Sequence, residues 1–355
     1  MTTCNRDALL KLATLLRPAL STQSFIPALT HLCFSGGHAT AFNDVTAISV
    51  RSPVELDLCL PGELFIKALS SFNSEQVALS DLDAALLLTS GRSKLKVPVL
   101  PVKDFPFKAP SGKADSIAFD NDMLEAIRKC LFSVGTDPTH PAQMGVTLED
   151  DGGAVFYSTD NFSISRCQTR SKLSLPAGAP IILPTLFCEQ LLTLAKAFPD
   201  DDVDLLVYGG ALKATFGKKA WLLTKTVVDL EPLDFKKTLD KHLKMGDVKK
   251  QLTRIPDTFD AAWNRALLVL GSEADKATLV SAQNGRILLE SKSSLGEADD
   301  EMEWQGKEQS KDFHIDPTLV VRAAKLCGSI AFYDRVLVLA ADDASFLHLI
   351  AHCTA

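Results

Sequence analysis

The chain has 355 residues, 46% hydrophobic and 23% charged, with a formal net charge of −7. That composition belongs to a folded globular protein and excludes a disordered, collagen-like or low-complexity chain. The acidic balance argues against a surface that grips nucleic acid everywhere, yet allows one locally basic face. Length alone predicts two or three domains. No apolar run reaches the ~18–20 residues of a membrane-spanning helix. The N-terminal MTTCNRDALLKL lacks a basic-then-apolar leader pattern, so the expected compartment is the cytoplasm, with no membrane partner.

In chain order, DALLKLATLLRPAL (7–20) places apolar side chains at helical spacing and closes at Pro18. IPALTHLCFSGG and FNDVTAISV (42–50) alternate and read as strands. LPGELFIKALSSF (60–72) predicts a second helix, with Pro61 in its first turn. Strands follow in QVALSDLDAALLLTSGRSKLKVPVLP, then a Pro/Gly/Lys-rich linker at 103–116. The order then recurs. NDMLEAIRKCLFSVG (121–135) is a helix, QMGVTLEDDGG and STDNFSISR (158–166) are strands, and LPTLFCEQLLTLAKAF (183–198) is the second helix. Strands in VDLLVYGGALKATFGKKAWLLTKTVV and a charged linker at 236–254 end that unit. It recurs again with helices at 257–271 and 315–328 and closing strands in SIAFYDRVLVLAADDASFLHLIAHC. The acidic LGEADDEMEW reads as a solvated loop. Aligning the first two units sets Asp44 against Asp160. The expected fold class is α+β: three tandem helix–strands–helix–strands domains at 1–113, 114–248 and 249–355.

Residues that resemble reactive or metal-binding groups have simpler readings. The eight cysteines are scattered without a CxxC pair, which points to buried reduced thiols rather than zinc or disulfides. His348 and His352 are four apart, but FLHLIAHC alternates like a strand, where that spacing is too long for chelation. Asp200, Asp201 and Asp202 follow Pro199 and read as a turn. There is no GxxxxGK[ST] phosphate loop and no GxSxG elbow. No catalytic residue, metal or cofactor is expected, and the chain reads as a non-enzyme. A reactive cysteine such as Cys167 is the distant enzymatic alternative, and a protein-binding scaffold without DNA is the nearer one.

Three tandem units of two helices and β-hairpins resemble the bacterial sliding clamp, the β subunit of DNA polymerase III. GRSKLKVPVLPVKDFP (91–106) resembles that family's first-domain ending, STDNFSISR a second-domain strand, and KTVVDLEPLDFKKTL (225–239) the second-domain ending. The likeness runs along the whole chain in order. It departs where the family has Gly-His-Arg and this chain has Asn161, Phe162 and Ser163, and at the C-terminal IAHCTA. Those departures suggest a divergent, phage- or plasmid-encoded member with altered partner preference.

The resemblance implies a homodimeric ring, helices inside and sheets outside, encircling duplex DNA near the nucleoid. It would tether a polymerase and other DNA-processing proteins and be placed by a clamp loader. Lys11, Arg17, Lys67, Arg128, Lys129, Lys196, Arg265, Arg322 and Lys325 would face DNA, and His140 would lie on a DNA-side loop. The subunit contact would use Phe105 and Phe107 on one side and Leu268 and Val269 on the other. An independent reason is that KDFPFK puts two aromatics in a polar segment, which would leave them exposed without a partner. A partner-peptide pocket carries over to Thr159, Phe162, Ile164, Pro232, Lys237, Leu319, Leu349, Ile350 and Cys353.

Overall fold

The computed structural model describes residues 2–226, 230–271, 277–309 and 311–353. One order of elements occurs three times: a strand, a helix, four strands, a second helix and three strands. The first set is β1 (Thr2–Asn5), α1 (Arg6–Leu16), β2 (His31–Ser35), β3 (His38–Phe42), β4 (Thr46–Arg51), β5 (Leu58–Pro61), α2 (Gly62–Ser71), β6 (Gln76–Leu82), β7 (Ala85–Ser90) and β8 (Ser93–Pro98). The second is β9 (Asp115–Phe119), α3 (Asn121–Cys130), β10 (Gly145–Asp150), β11 (Ala154–Thr159), β12 (Ser163–Gln168), β13 (Ile181–Pro184), α4 (Thr185–Ala197), β14 (Val203–Tyr208), β15 (Ala211–Phe216) and β16 (Ala220–Lys225). Two short helices follow, α5 (Phe235–Asp240) and α6 (Met245–Gln251). The third set is β17 (Thr253–Arg254), α7 (Phe259–Leu270), β18 (Thr278–Gln283), β19 (Arg286–Ser293), β20 (Gly296–Glu303), β21 (Phe313–Ile315), α8 (Pro317–Ala324), β22 (Ser329–Phe332), β23 (Val336–Ala340) and β24 (Phe346–Ala351).

The chain forms two compact units, Met1–Asp120 with Leu186–Asp229, and Asn121–Thr185 with Leu230–Ala355. The first holds an eight-stranded sheet ordered β5-β2-β3-β4-β16-β15-β14-β9 and a four-stranded sheet β1-β6-β7-β8. The second holds β13-β10-β11-β12-β24-β23-β22-β17 and β20-β19-β18-β21. Each large sheet therefore joins strands from two of the three sets, through β4·β16 in one and β12·β24 in the other.

The helices form where apolar residues recur on one face. In α1, Leu9, Leu12, Ala13 and Leu16 are buried, and the Asn5 side chain caps the helix by accepting the Ala8 N–H at 3.0 Å. In α7, Phe259, Ala262, Trp263, Ala266 and Leu270 are buried. Asp316 caps α8 through the Thr318 N–H at 2.7 Å, ahead of Pro317. Three predicted helices stop early, the 315–328 one at Ala324. Pro18 converts the end of the first into a 3-10 turn at Arg17–Ala19, and the 121–135 helix ends at Cys130 before a similar turn at Leu131–Ser133.

Other expectations change in three dimensions. The charged 236–254 stretch is not an open linker. Its apolar residues lie at helical spacing, so Phe235, Leu239, Leu243 and Val248 pack with Val155, Val338 and Leu349. LGEADDEMEW is not a loop either: it forms β20, where Glu301 pairs with Arg286 and Glu297 with Lys292 on the exposed face, while Asp300 on the other face pairs with Arg265 of α7. A charged edge strand of this kind resists pairing with foreign strands. The alignment of Asp44 with Asp160 is one residue out. Counting back from the starts of β4 and β12, Asn43 matches Asp160 and Asp44 matches Asn161. Asn43 Oδ1 and Asp160 Oδ1 accept the same turn amides, while Asp44 (φ 77°) and Asn161 (φ 73°) both adopt the left-handed conformation.

Phe105 and Phe107 are not aromatics left without a partner. Both are half-buried and pack against Leu29, Phe42, Ala47 and Leu223. The Phe107 ring stacks on Trp221 at 5.3 Å and meets Phe42 edge-on at 5.3 Å. Replacing Phe107→Ala should lower the unfolding free energy by about 2 kcal/mol, by lost burial and two aromatic contacts. Urea denaturation followed by Trp fluorescence would measure it, and an unchanged midpoint would show that the ring contributes nothing to the fold.

Candidate functional site

An open groove of about 390 Å³ lies on the second unit. Its apolar floor comes from Ile164 on β12, Leu349 on β24, Val336 on β23, and Leu233 and Phe235 around the start of α5. Its polar rim comes from Gln143, Thr159, Asn161, Lys237, Lys241 and His242. Antiparallel pairing of β12 with β24 sets Ile164 opposite Leu349 and Ser163 opposite Ile350. Because side chains alternate across a sheet, that register puts Ile164 and Leu349 on the groove side and turns Ile350 to the other face.

The turn from β11 to β12 shapes the mouth. Asp160 Oδ1 accepts the N–H groups of Phe162 at 3.1 Å and Ser163 at 2.7 Å, and the Ser163 hydroxyl at 2.9 Å. Thr159 Oγ1 donates to the Ser163 carbonyl at 2.7 Å. Gln143 Nε2 donates to Asn161 Oδ1 at 2.6 Å. Held this way, Phe162 projects outward and is 64% exposed, so it does not fill the core. The opposite wall begins at Asp234, whose carboxylate accepts the Lys237 N–H at 2.8 Å and caps α5. Phe235 stacks on Tyr157 at 4.9 Å, anchoring α5 to β11. Burial lowers the pKa of His242, helped by Arg335 and Lys241, so the rim histidine favours its neutral form.

The groove brings together Thr159, Phe162, Ile164, Lys237 and Leu349 from the predicted pocket. Leu319 and Ile350 instead pack inside the core of this unit with Trp263 and Val320. Pro232 is half-buried just before α5, outside the groove lining. Cys353 is also half-buried and outside it, its N–H donating to the His314 carbonyl at 2.8 Å. Val227, Val228 and Asp229 of the 225–239 segment, and Thr354 and Ala355 of the C-terminal one, lie outside the described residues. Sequence reasoning missed Asn161, Asp234, Phe235, Lys241 and His242. An Asp followed by apolar residues at 235 and 239 is a helix-start signal that would have found the second wall.

The basic candidates divide. Lys11, Lys67, Lys196, Arg322 and Lys325 are exposed. Arg17, Arg128 and Arg265 are exposed too, but engage Glu63, Glu125 and Asp300. Lys129 is half-buried near Asp343. His140 sits in the Asp137 turn, 3.4 Å from that carboxylate. Leu268 is 77% exposed on α7, and Val269 is half-buried beside it. Cys167 is buried in apolar surroundings that push its thiol up to about 11, the opposite of an activated nucleophile.

Similarity to known proteins follows this geometry. No family model matches the chain. A beta sliding clamp of Caulobacter vibrioides is 24% identical over 323 residues, covering 85% of this chain and 83% of the relative. One from Pseudomonas aeruginosa is 23% identical over 263 residues, 69% of this chain and 70% of its own. The solved DNA polymerase III beta subunit of Thermotoga maritima superposes with a TM-score of 0.85 over 99% of both chains, at 17% identity. The chain has the sliding-clamp fold. It is a divergent relative of the bacterial beta clamps, matching them at 23–24% identity.

Beneath this groove, on the opposite face of the same strands, lies a buried polar chain. The Ser158 hydroxyl donates to the Cys130 carbonyl at 2.6 Å, Ser133 links Ser158 and Ser165, and Ser165 Oγ lies 2.9 Å from His348 Nδ1. His348 Nε2 is buried with no hydrogen-bond partner among the described residues. Desolvation, reinforced by Arg322, lowers the His348 pKa from 6.5 to about 3. The unfolded chain therefore binds a proton that the folded chain refuses. Stability from this group is complete above pH 6.5 and falls as pH drops towards 3, by up to about 1.4 kcal/mol per unit. Acid unfolding of His348→Gln should be shallower by about one proton than that of the parent. Parallel pH curves would place the acid sensitivity elsewhere.

Proposed function

We propose that the chain is a DNA sliding clamp, a processivity factor that encircles duplex DNA as a closed ring and tethers a polymerase and other DNA-processing proteins through its apolar groove. The observation that carries this reading is the whole-length likeness to beta clamps, together with a groove that combines an apolar floor and a sparse polar rim. A clamp reads no sequence and must slide, so it needs a few weak phosphate contacts rather than a strongly basic surface. Exposed Lys11, Lys67, Lys196, Arg322 and Lys325 in a chain of net charge −7 suit that requirement. The finer reading is a cytoplasmic homodimer of three-domain subunits, divided at 1–113, 114–248 and 249–355, opened by a clamp loader. Exposed Leu268 supports an apolar subunit contact that closes head to tail.

Light scattering should give ~77 kDa, twice the 38.4 kDa chain, as expected for a closed two-subunit assembly. Leu268→Ala with Val269→Ala should yield folded monomers, and a double variant that stays dimeric at micromolar concentration would move the contact elsewhere. Loaded protein should remain on nicked circular DNA and leave when the circle is linearised. Equal loss from both forms would defeat the encircling reading.

The groove has its own test. A clamp from Pseudomonas aeruginosa binds griselimycin, which serves as a probe. Phe162→Ala should weaken griselimycin binding about tenfold, as expected when an exposed aromatic at a groove mouth is truncated. Identical titrations for parent and variant would show that Phe162 is not part of the recognition surface.

A further inference from the structure

Two cysteines face each other across the β2–β5 ladder, where the antiparallel register sets Cys33 directly opposite Cys59. Among the described strand pairs this is the one position that opposes two cysteines. The kind of pair follows from the other side of β5. There the Cys59 N–H donates to the Leu100 carbonyl at 2.8 Å, and the Leu100 N–H donates back to the Cys59 carbonyl at 2.8 Å. A strand residue points its N–H and C=O to the same side, so Cys59 has no ladder hydrogen bond towards Cys33. In such a non-hydrogen-bonded pair the Cα atoms are about 4.5 Å apart and the side chains are at their closest. That separation lies inside the range a disulfide spans.

We propose that Cys33 and Cys59 form a reversible dithiol–disulfide pair, oxidised by a peroxide and reduced by a small thiol. In the reduced structure the Cys59 thiol is turned towards the Pro101 carbonyl, 4.0 Å away, and Cys33 is the more exposed of the pair. A peroxide therefore reaches Cys33 first, which makes Cys33 the nucleophile and the fully buried Cys59 the resolving thiol. The Cys33 thiolate attacks one peroxide oxygen. The O–O bond breaks, the departing hydroxide takes a proton to become water, and Cys33 is left as a sulfenic acid. The Cys59 sulfur then attacks the Cys33 sulfur. The S–S bond forms, the S–O bond breaks, and a second water carries away the Cys59 proton. Two thiols and one peroxide thus become one disulfide and two waters.

Access sets the rate. Cys33 is 5% exposed and Cys59 is fully buried, with Asp57 and Asp104 close enough to disfavour thiolate. β5 is four residues long and ends the sheet, and among the described residues its backbone pairing on the outer side is the single Leu100 bridge. Local opening of this short edge admits the oxidant, so reaction is slow in the closed state. The product staples β5 to β2 beneath the segment that runs from Leu100 to Phe105 and Phe107. The proposal does not depend on the clamp reading.

The full-length protein would be treated with hydrogen peroxide, alkylated with iodoacetamide in denaturant, digested without reduction and mapped by mass spectrometry. The expected result is a Cys33–Cys59 linked peptide lighter by two hydrogens than its reduced parts, formed within one chain and lost on adding dithiothreitol. Cys130, Cys167 and Cys188 should be recovered alkylated. Cys59→Ser should abolish the link. If that variant does not fold, the map of the unaltered protein still decides. Recovery of Cys33 and Cys59 as separate alkylated peptides, as sulfinic acids, or in disulfides with other cysteines would overturn the proposal.

Discussion

Strand β24 lies between β12 and β23, and the groove depends on that position. It is nearly all buried, from Phe346 to Ile350, and it joins residues almost two hundred positions apart, Ser163 with Ile350 and Arg166 with Leu347. A one-residue slip in this ladder would move every side chain to the wrong face. Leu349 would leave the groove floor, and His348 would leave the serine chain below it. The register is secured from both faces. Ile164, Leu349 and Val338 pack under α5, while Ile350, Leu337 and Leu339 pack into the core around Trp263.

The same ladder explains why polar groups are buried so close to the site. Ser133, Ser158, Ser165 and His348 occupy a region that is otherwise apolar, lined by Phe132 and Phe346. A buried hydroxyl without a partner costs roughly 1–3 kcal/mol, so each serine here is bonded to another or to the Cys130 carbonyl. The serine hydroxyls are satisfied only when α3's end, β11, β12 and β24 are all in place. A collapsed state with β24 displaced would strand these groups, which favours one arrangement over its competitors.

The groove mouth shows how a small change alters chemistry without altering the fold. Asp160 and Thr159 hold the turn by the same hydrogen bonds whatever side chain occupies 162. The backbone therefore presents residue 162 to the groove as a fixed outward position. Phenylalanine there extends the apolar surface towards solvent, while Lys237 and Lys241 provide the charge on the opposite side, beside a His242 that favours its neutral form. A partner segment that suits this groove needs apolar side chains at its centre and tolerates cationic neighbours at one edge.

What was legible in the sequence was local. Periodicity located every long helix, because an amphipathic helix needs a buried face at 3.6-residue spacing and α1, α3 and α7 carry it openly. The threefold order of elements, and the clamp likeness built on it, came from the same local signals. Five of the residues assigned to a pocket by motif line one groove, and three of them, Thr159, Phe162 and Ile164, lie at the β11–β12 turn that Asp160 and Thr159 hold locally. The tertiary structure decided the rest. Phe105 and Phe107 read as exposed because their partners, Phe42 and Trp221, lie far away in sequence. The 236–254 segment read as a linker because its apolar residues are sparse, and only the sheet beneath them makes a helix worthwhile. Leu319 and Ile350 fell in the core because strand register and helix rotation, not residue type, decide which face a leucine or isoleucine occupies.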